Sequence, residues 1–154
     1  MIRKVISGGQ TGADQAGLDA AMRAGVEHGG FVPKGRRTEK GPLSDKYEMD
    51  EDSSNSYEGR TLKNVLASDG TVVFAHGKLT GGSRLTREYA RKNGRPCLVV
   101  NLNSAGPGKA AQKLQQWIEE NRIEVLNVAG PRESKDPGIY QVVFEILQRV
   151  FVRQ

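Results

Sequence analysis

The sequence predicts a three-layer α/β sandwich, Rossmann-like, around a central, mainly parallel sheet of about five or more strands. Three observations predict it. Short apolar runs alternate with segments of helical periodicity along the whole chain. The run Thr71-Val72-Val73-Phe74-Ala75 is apolar enough to be buried on both faces, as a strand inside a parallel sheet is. Glycine-rich turns follow strand candidates and precede helix starts, the layout of α/β proteins that bind ligands at strand ends.

The elements follow in order. Lys4-Val5-Ile6 is the first strand candidate. Residues 14–24 carry Ala16, Leu18, Ala21 and Met22 at helical spacing, and Gly25 stops that helix. Residues 26–32 form a weaker strand interrupted by Gly29-Gly30. The polar stretch 33–55 predicts a long ordered loop. Helical spacing returns over 57–67 through Leu62, Val65 and Leu66, and again over 85–93, where Gly94 ends it. Between them lies the strand 71–75, and beyond them a strand centred on Cys97-Leu98-Val99-Val100. Residues 108–122 are amphipathic through Ala111, Leu114, Trp117 and Ile118. Residues 124–128 are a fifth strand, and a last helix is expected from about Pro137 through Val150. With 154 residues, no internal repeat and no linker, one domain over residues 1–154 is expected.

Composition excludes several classes. No run approaches the roughly 20 apolar residues of a membrane helix, so no membrane partner is expected. The strand begins directly after Met1-Ile2-Arg3, so no signal peptide is expected and a cytoplasmic location follows by elimination. Cys97 stands alone, which forbids an intrachain disulfide, and with His28 and His76 far apart no metal site is expected. The net charge of +5 suits anionic ligands. Aromatics are scarce and do not interleave with basic runs, so nucleic acid is not the expected partner.

Three loops could carry chemistry. Ser7-Gly8-Gly9-Gln10-Thr11-Gly12-Ala13-Asp14 joins the first strand to its helix. Glycines there allow close backbone approach, and amides at a helix start favour an anion. Thr11 adds a hydroxyl, and Asp14 either caps the helix or bonds a sugar hydroxyl. The Lys-Ser/Thr pair of a P-loop is missing. A second turn of the same type, Thr80-Gly81-Gly82-Ser83, leads toward Thr86, Arg87 and Glu88. The long loop carries Lys34, Arg36 and Arg37, three cations suited to phosphate. Arg132, after the fifth strand, is placed to reach the same crevice edge, while Ser134 or Asp136 could cap the last helix. His76 lacks any partner visible in sequence, so it is not assigned as a base.

The runs ISGGQTGAD, PKGRRTEKGPL, SDGTVVFAHGKLTGGSRLT and NVAGPRES with PGIY resemble the molybdenum-carrier family over nearly the whole chain. That family sits in a Rossmann-like superfamily with lonely-guy-type phosphoribohydrolases and DNA-processing protein A. The resemblance implies a homo-oligomer, dimer or tetramer, and binding of the molybdenum cofactor, a pterin with a terminal phosphate, or of a nucleotide-like ligand. The phosphoribohydrolases carry a proline-glycine-glycine turn followed by a helix with a catalytic glutamate, and an arginine on the preceding helix. By resemblance, Arg60 and Glu88 take those positions here. Thr80 and Arg84-Leu85 depart from that motif.

Three functions are therefore expected in order. The first is a carrier that holds a phosphorylated pterin or nucleotide-like ligand on the two glycine loops. The second is an N-glycosidic hydrolase of nucleoside monophosphates through Arg60 and Glu88. The third, on fold analogy alone, is a nucleic-acid-associated module.

Overall fold

A computed structural model of the chain describes residues 1–53 and 56–154. The described elements run in the order β1 (Lys4–Ile6), α1 (Ala13–Ala24), β2 (Glu27–Gly29), β3 (Phe31–Val32), a 3₁₀ turn (Lys34–Arg36), β4 (Arg37–Thr38), β5 (Gly41–Pro42), β6 (Asp50–Glu51), α2 (Tyr57–Leu66), β7 (Gly70–Ala75), α3 (Gly81–Lys92), β8 (Cys97–Asn101), α4 (Pro107–Glu120), β9 (Val125–Ala129) and α5 (Ile139–Val152).

Five strands form one parallel sheet in the order β2-β1-β9-β7-β8. The last strand in the chain thus lies at the centre, between the first strand and β7. If β9 is counted first, the order becomes 3-2-1-4-5, the Rossmann arrangement entered at a different point of the chain. The switch point is then the β9–β7 boundary. There α1 leads from β1 out to β2, and α3 leads from β7 the other way to β8.

The two sheet faces differ. On one face α1, α4 and α5 pack on Val5, Val72, Phe74, Val100, Leu126 and Val128 in the main apolar cluster. On the other, a smaller cluster of Val73, Ala75 and Leu79 meets Cys97, Val99 and Ala129. Strand alternation sorts these residues: Val72 and Phe74 point one way, Val73 and Ala75 the other. All six residues of β7 are buried, as its apolar run predicts. Helix α5 buries Ile139, Val143, Ile146, Leu147 and Val150, a helical stripe. Gly17 lets α1 lie against β9, because a Cβ there would come within 2.9 Å of Val128.

Several expected boundaries shift for local reasons. The weak strand over 26–32 splits into β2 and β3 at Gly30, whose φ of 125° takes β3 into a separate pairing with β6. The long loop is ordered over its described part by the 3₁₀ turn and the antiparallel β4–β5 pair. Its last two residues, Ser54 and Asn55, lie outside the described residues. Helix α3 starts at Gly81, not at Leu85, so the second glycine turn is itself the first turn of the helix. Helix α5 starts at Ile139, beyond Pro137. Neither Ser134 nor Asp136 caps it through a side chain. The carboxylate of Glu133 does so, accepting from the amides of Gly138 at 2.7 Å and Tyr140 at 3.0 Å. Among the described residues no helix is long and apolar enough to cross a membrane.

Candidate functional site

A crevice of about 580 Å³ opens at the carboxyl ends of β7 and β9, the switch point of the sheet. Its walls are the turn after β1, the turn after β7 with the start of α3, the turn after β9, and the near side of α2. The volume falls in the range of small-molecule sites.

The two glycine loops contribute to this crevice in different ways. In the first, the backbone is already committed. The amide of Gly9 donates to Oγ of Ser7, that of Gln10 to Oδ2 of Asp14, and that of Thr11 to Oε1 of Gln10. The Ala13 amide, at the start of α1, donates to the carbonyl of Pro131 at 3.2 Å. Gly12 sits at φ 81°, and a Cβ there would lie 2.5 Å from the Pro131 oxygen. This loop is a packed joint between β1 and the β9–α5 connection.

The second loop is open. Thr80 gives α3 no side-chain cap, and the first backbone bond of the helix comes from Arg84 to the Thr80 carbonyl. Among the described residues nothing accepts from the amides of Gly81, Gly82 and Ser83, and all three residues line the crevice. An uncapped helix start facing a cavity attracts an anion through its amides and its dipole. Cations gather beside it. Lys78, Arg132 and Lys135 line the same cavity, and a Cβ on Gly81 would lie 3.4 Å from Nζ of Lys135.

Arg60, from α2, forms the back wall. It is 6% exposed, donates from Nη1 to the Gly8 carbonyl at 2.9 Å, and lies over the Tyr57 ring at 4.6 Å. Its Nε is buried without a partner among the described residues. A Cβ on Gly8 would come within 2.1 Å of that guanidinium and 3.0 Å of Asp14, so a larger residue there would push the Arg60 guanidinium from its place. Burial pushes the Asp14 carboxyl up to about 6, while the charge of Arg60 and the amides of Gln10 and Gly8 hold the rise back. Asp14 therefore serves the first loop as an internal acceptor and also faces the crevice.

The crevice brings together Gly8, Gln10, Asp14, Arg60, Thr80, Gly81, Gly82, Ser83, Thr86 and Arg132. The Thr86 hydroxyl is already spent on the Gly82 carbonyl at 2.8 Å. Gly9, Thr11, Gly12, Lys34, Arg36, Arg37 and Glu88 are not among its lining residues. Gly9 lies behind the loop, where a Cβ would meet Val32 and Leu43. Arg36 staples the long loop, donating from Nη2 to the carbonyls of Ser44 at 2.9 Å and Tyr47 at 2.7 Å. Lys34 and Arg37 are exposed. Glu88 is exposed and pairs with Arg84 one turn earlier at 3.1 Å.

Sequence reasoning missed Tyr57, Asn64, Lys78, Lys135 and the His76–Asp136 pair, all of which line the crevice. It also missed Glu39, which ties the long loop to the first glycine loop and to the β9–α5 turn. The Glu39 carboxylate accepts from the hydroxyls of Ser134 and Thr11, which hold it below the usual carboxylate range. Helix periodicity places Tyr57 and Asn64 on α2 but does not say which face meets a cavity.

Strand order and crevice together define a Rossmann-like α/β protein whose chain is circularly permuted. The comparisons with known proteins agree. Residues 5–151 match the circularly permutated YpsA SLOG family, and the chain belongs to it. The structure is similar to the crystal structure of the “Putative molybdenum carrier protein” from Syntrophus aciditrophicus SB. The two share 46% identity and a TM-score of 0.95, over 98% of this chain and 95% of that one. A search among curated proteins finds no match.

Proposed function

We propose that this chain is a carrier that binds a phosphorylated pterin, the molybdenum cofactor, or a nucleotide-like ligand in the crevice, with the ligand's phosphate on the first turn of α3. One observation carries this reading: the amides of Gly81, Gly82 and Ser83 stand without acceptors inside a concave site lined by Lys78, Arg132 and Lys135. A terminal phosphate supplies the acceptors those amides lack, and its charge matches the lysines. The description of the Syntrophus relative as a molybdenum carrier supports the pterin as cargo. Arg60 supports it too, since its buried guanidinium adds positive charge to the back wall.

The glycosidic hydrolase reading rested on Arg60 and Glu88 acting together. Arg60 lines the crevice and Glu88 is tied to Arg84 outside it, which favours binding over cleavage through that pair.

Calorimetry with the molybdenum cofactor and with AMP tests the proposal. Saturable binding of either compound that weakens in Lys135→Ala supports it. Binding of neither, together with mass spectra of the purified protein that carry no phosphorylated compound, contradicts it.

A further inference from the structure

His76 and Asp136 are 60 positions apart in the chain, and each lines the crevice. The Nδ1 atom of His76 lies 2.6 Å from Oδ2 of Asp136. A carboxylate only accepts, so Nδ1 is the donor in this contact, and in the neutral ring the lone pair lies on Nε2. The backbone beside each partner is held in place. Next to His76, the amide of Gly77 donates to Oδ1 of Asn101 at 3.0 Å, and the Asp136 carbonyl accepts from Ile139 at the start of α5. The pair lines the same crevice that the open helix start faces. Lys135, the neighbour of Asp136 in the chain, is the residue whose Nζ lies against Gly81. One loop therefore brings a cation to the α3 amides and a carboxylate to the histidine.

From this juxtaposition we infer that the crevice holds a second, catalytic element: His76, positioned by Asp136, is a general base and acid for hydrolysis of a phosphomonoester bound at the start of α3. The inference rests on the proposed phosphate position. Nε2 of His76 takes a proton from a water molecule as the water oxygen forms its bond to phosphorus. The bond from phosphorus to the alcohol oxygen breaks, its electron pair stays on that oxygen, and the imidazolium returns the proton there. The products are inorganic phosphate and the free alcohol, and water is the only co-reactant. The amides of Gly81, Gly82 and Ser83, with Lys135, stabilise the charge on the phosphoryl oxygens. His76 is the catalytic residue in this scheme, and Asp136 is a positioning residue.

The test uses the full chain with AMP and p-nitrophenyl phosphate, reading both AMP binding by calorimetry and phosphate release. The expected result is release by the unmodified protein, slowed about a hundredfold or more in kcat in His76→Gly with little change in KM. Added imidazole restores turnover in that variant, which a merely structural histidine would not allow. Asp136→Asn lowers kcat while KM holds. AMP binding with no phosphate released overturns the inference and leaves the proposed phosphate position standing, as does release at an unchanged rate in His76→Gly. If neither AMP nor p-nitrophenyl phosphate turns over and AMP does not bind, this inference is overturned, and the phosphate position falls with it only if the molybdenum cofactor also fails to bind.

Discussion

The two glycine-rich loops look alike in sequence and are opposites in structure. Each follows a central strand and opens a helix. In the first, Ser7, Asp14, Gln10 and Pro131 accept from the loop amides, and Gly12 is wedged against the backbone of Pro131. In the second, three amides at the head of α3 have no acceptor among the described residues and face a cavity with lysines around it. Glycine after a strand therefore has two uses. It allows close packing of backbone on backbone, or it exposes amides to a ligand. Which use applies depends on whether a neighbouring carboxylate or carbonyl has already taken the amides.

That contrast predicts stability effects from the first loop and binding effects from the second. The largest effect is expected for Gly12→Ala. Its Cβ would lie 2.5 Å from the Pro131 oxygen at a backbone φ of 81°, so the variant should lose about 3 kcal/mol in urea unfolding. Close to unchanged stability there would mean that the joint is not tightly packed.

Asp14 gives the next effect. Its carboxyl is raised from 3.8 to about 6 in the folded chain, so the folded state holds this proton more tightly than the unfolded state does. The resulting stability is fully present below about pH 4 and is lost as the pH rises through about 6. The loss should be on the order of 3 kcal/mol across that window, and Asp14→Asn should flatten it. Urea unfolding measured at several pH values checks both.

Lys135→Ala belongs to the second loop. It should weaken AMP or cofactor binding about tenfold, the size of one charge-assisted contact to a phosphate. Stability should move by less than about 0.5 kcal/mol. A stability loss as large as that of Gly12→Ala would erase the distinction between the loops.

The smallest effect is expected for Lys34→Ala combined with Arg37→Ala. Both side chains are exposed and neither lines the crevice, so affinity should stay within about twofold in calorimetry. A larger loss would place the long loop at the ligand after all.

The sequence carries much of this architecture because strand and helix periodicity are local. Thr71–Ala75 reads as a buried strand, and the stripe through Val143, Ile146, Leu147 and Val150 reads as a packed helix, without knowledge of neighbours. The central place of β9 does not read locally, because nothing within 125–129 states which strands will flank it. The site was half legible for the same reason. Gly81, Gly82 and Ser83 stand out as a turn, and Arg132 follows a strand. Tyr57 and Lys135 reach the crevice only through the packing of α2 and the β9–α5 loop. The basic cluster misled through side-chain chemistry: Arg36 is a cation, but its donors go to the carbonyls of Ser44 and Tyr47. Asp136 is hidden as a partner of His76 because the two lie 60 positions apart in the chain.

The most direct test of where the phosphate sits is the backbone amide spectrum of the labelled protein during titration with AMP. The largest shifts are expected on Gly81, Gly82 and Ser83, while the amides of Gly9, Gln10 and Thr11 move little because their acceptors lie within the protein. Shifts confined to the first loop, with the α3 amides unmoved at saturation, would contradict it.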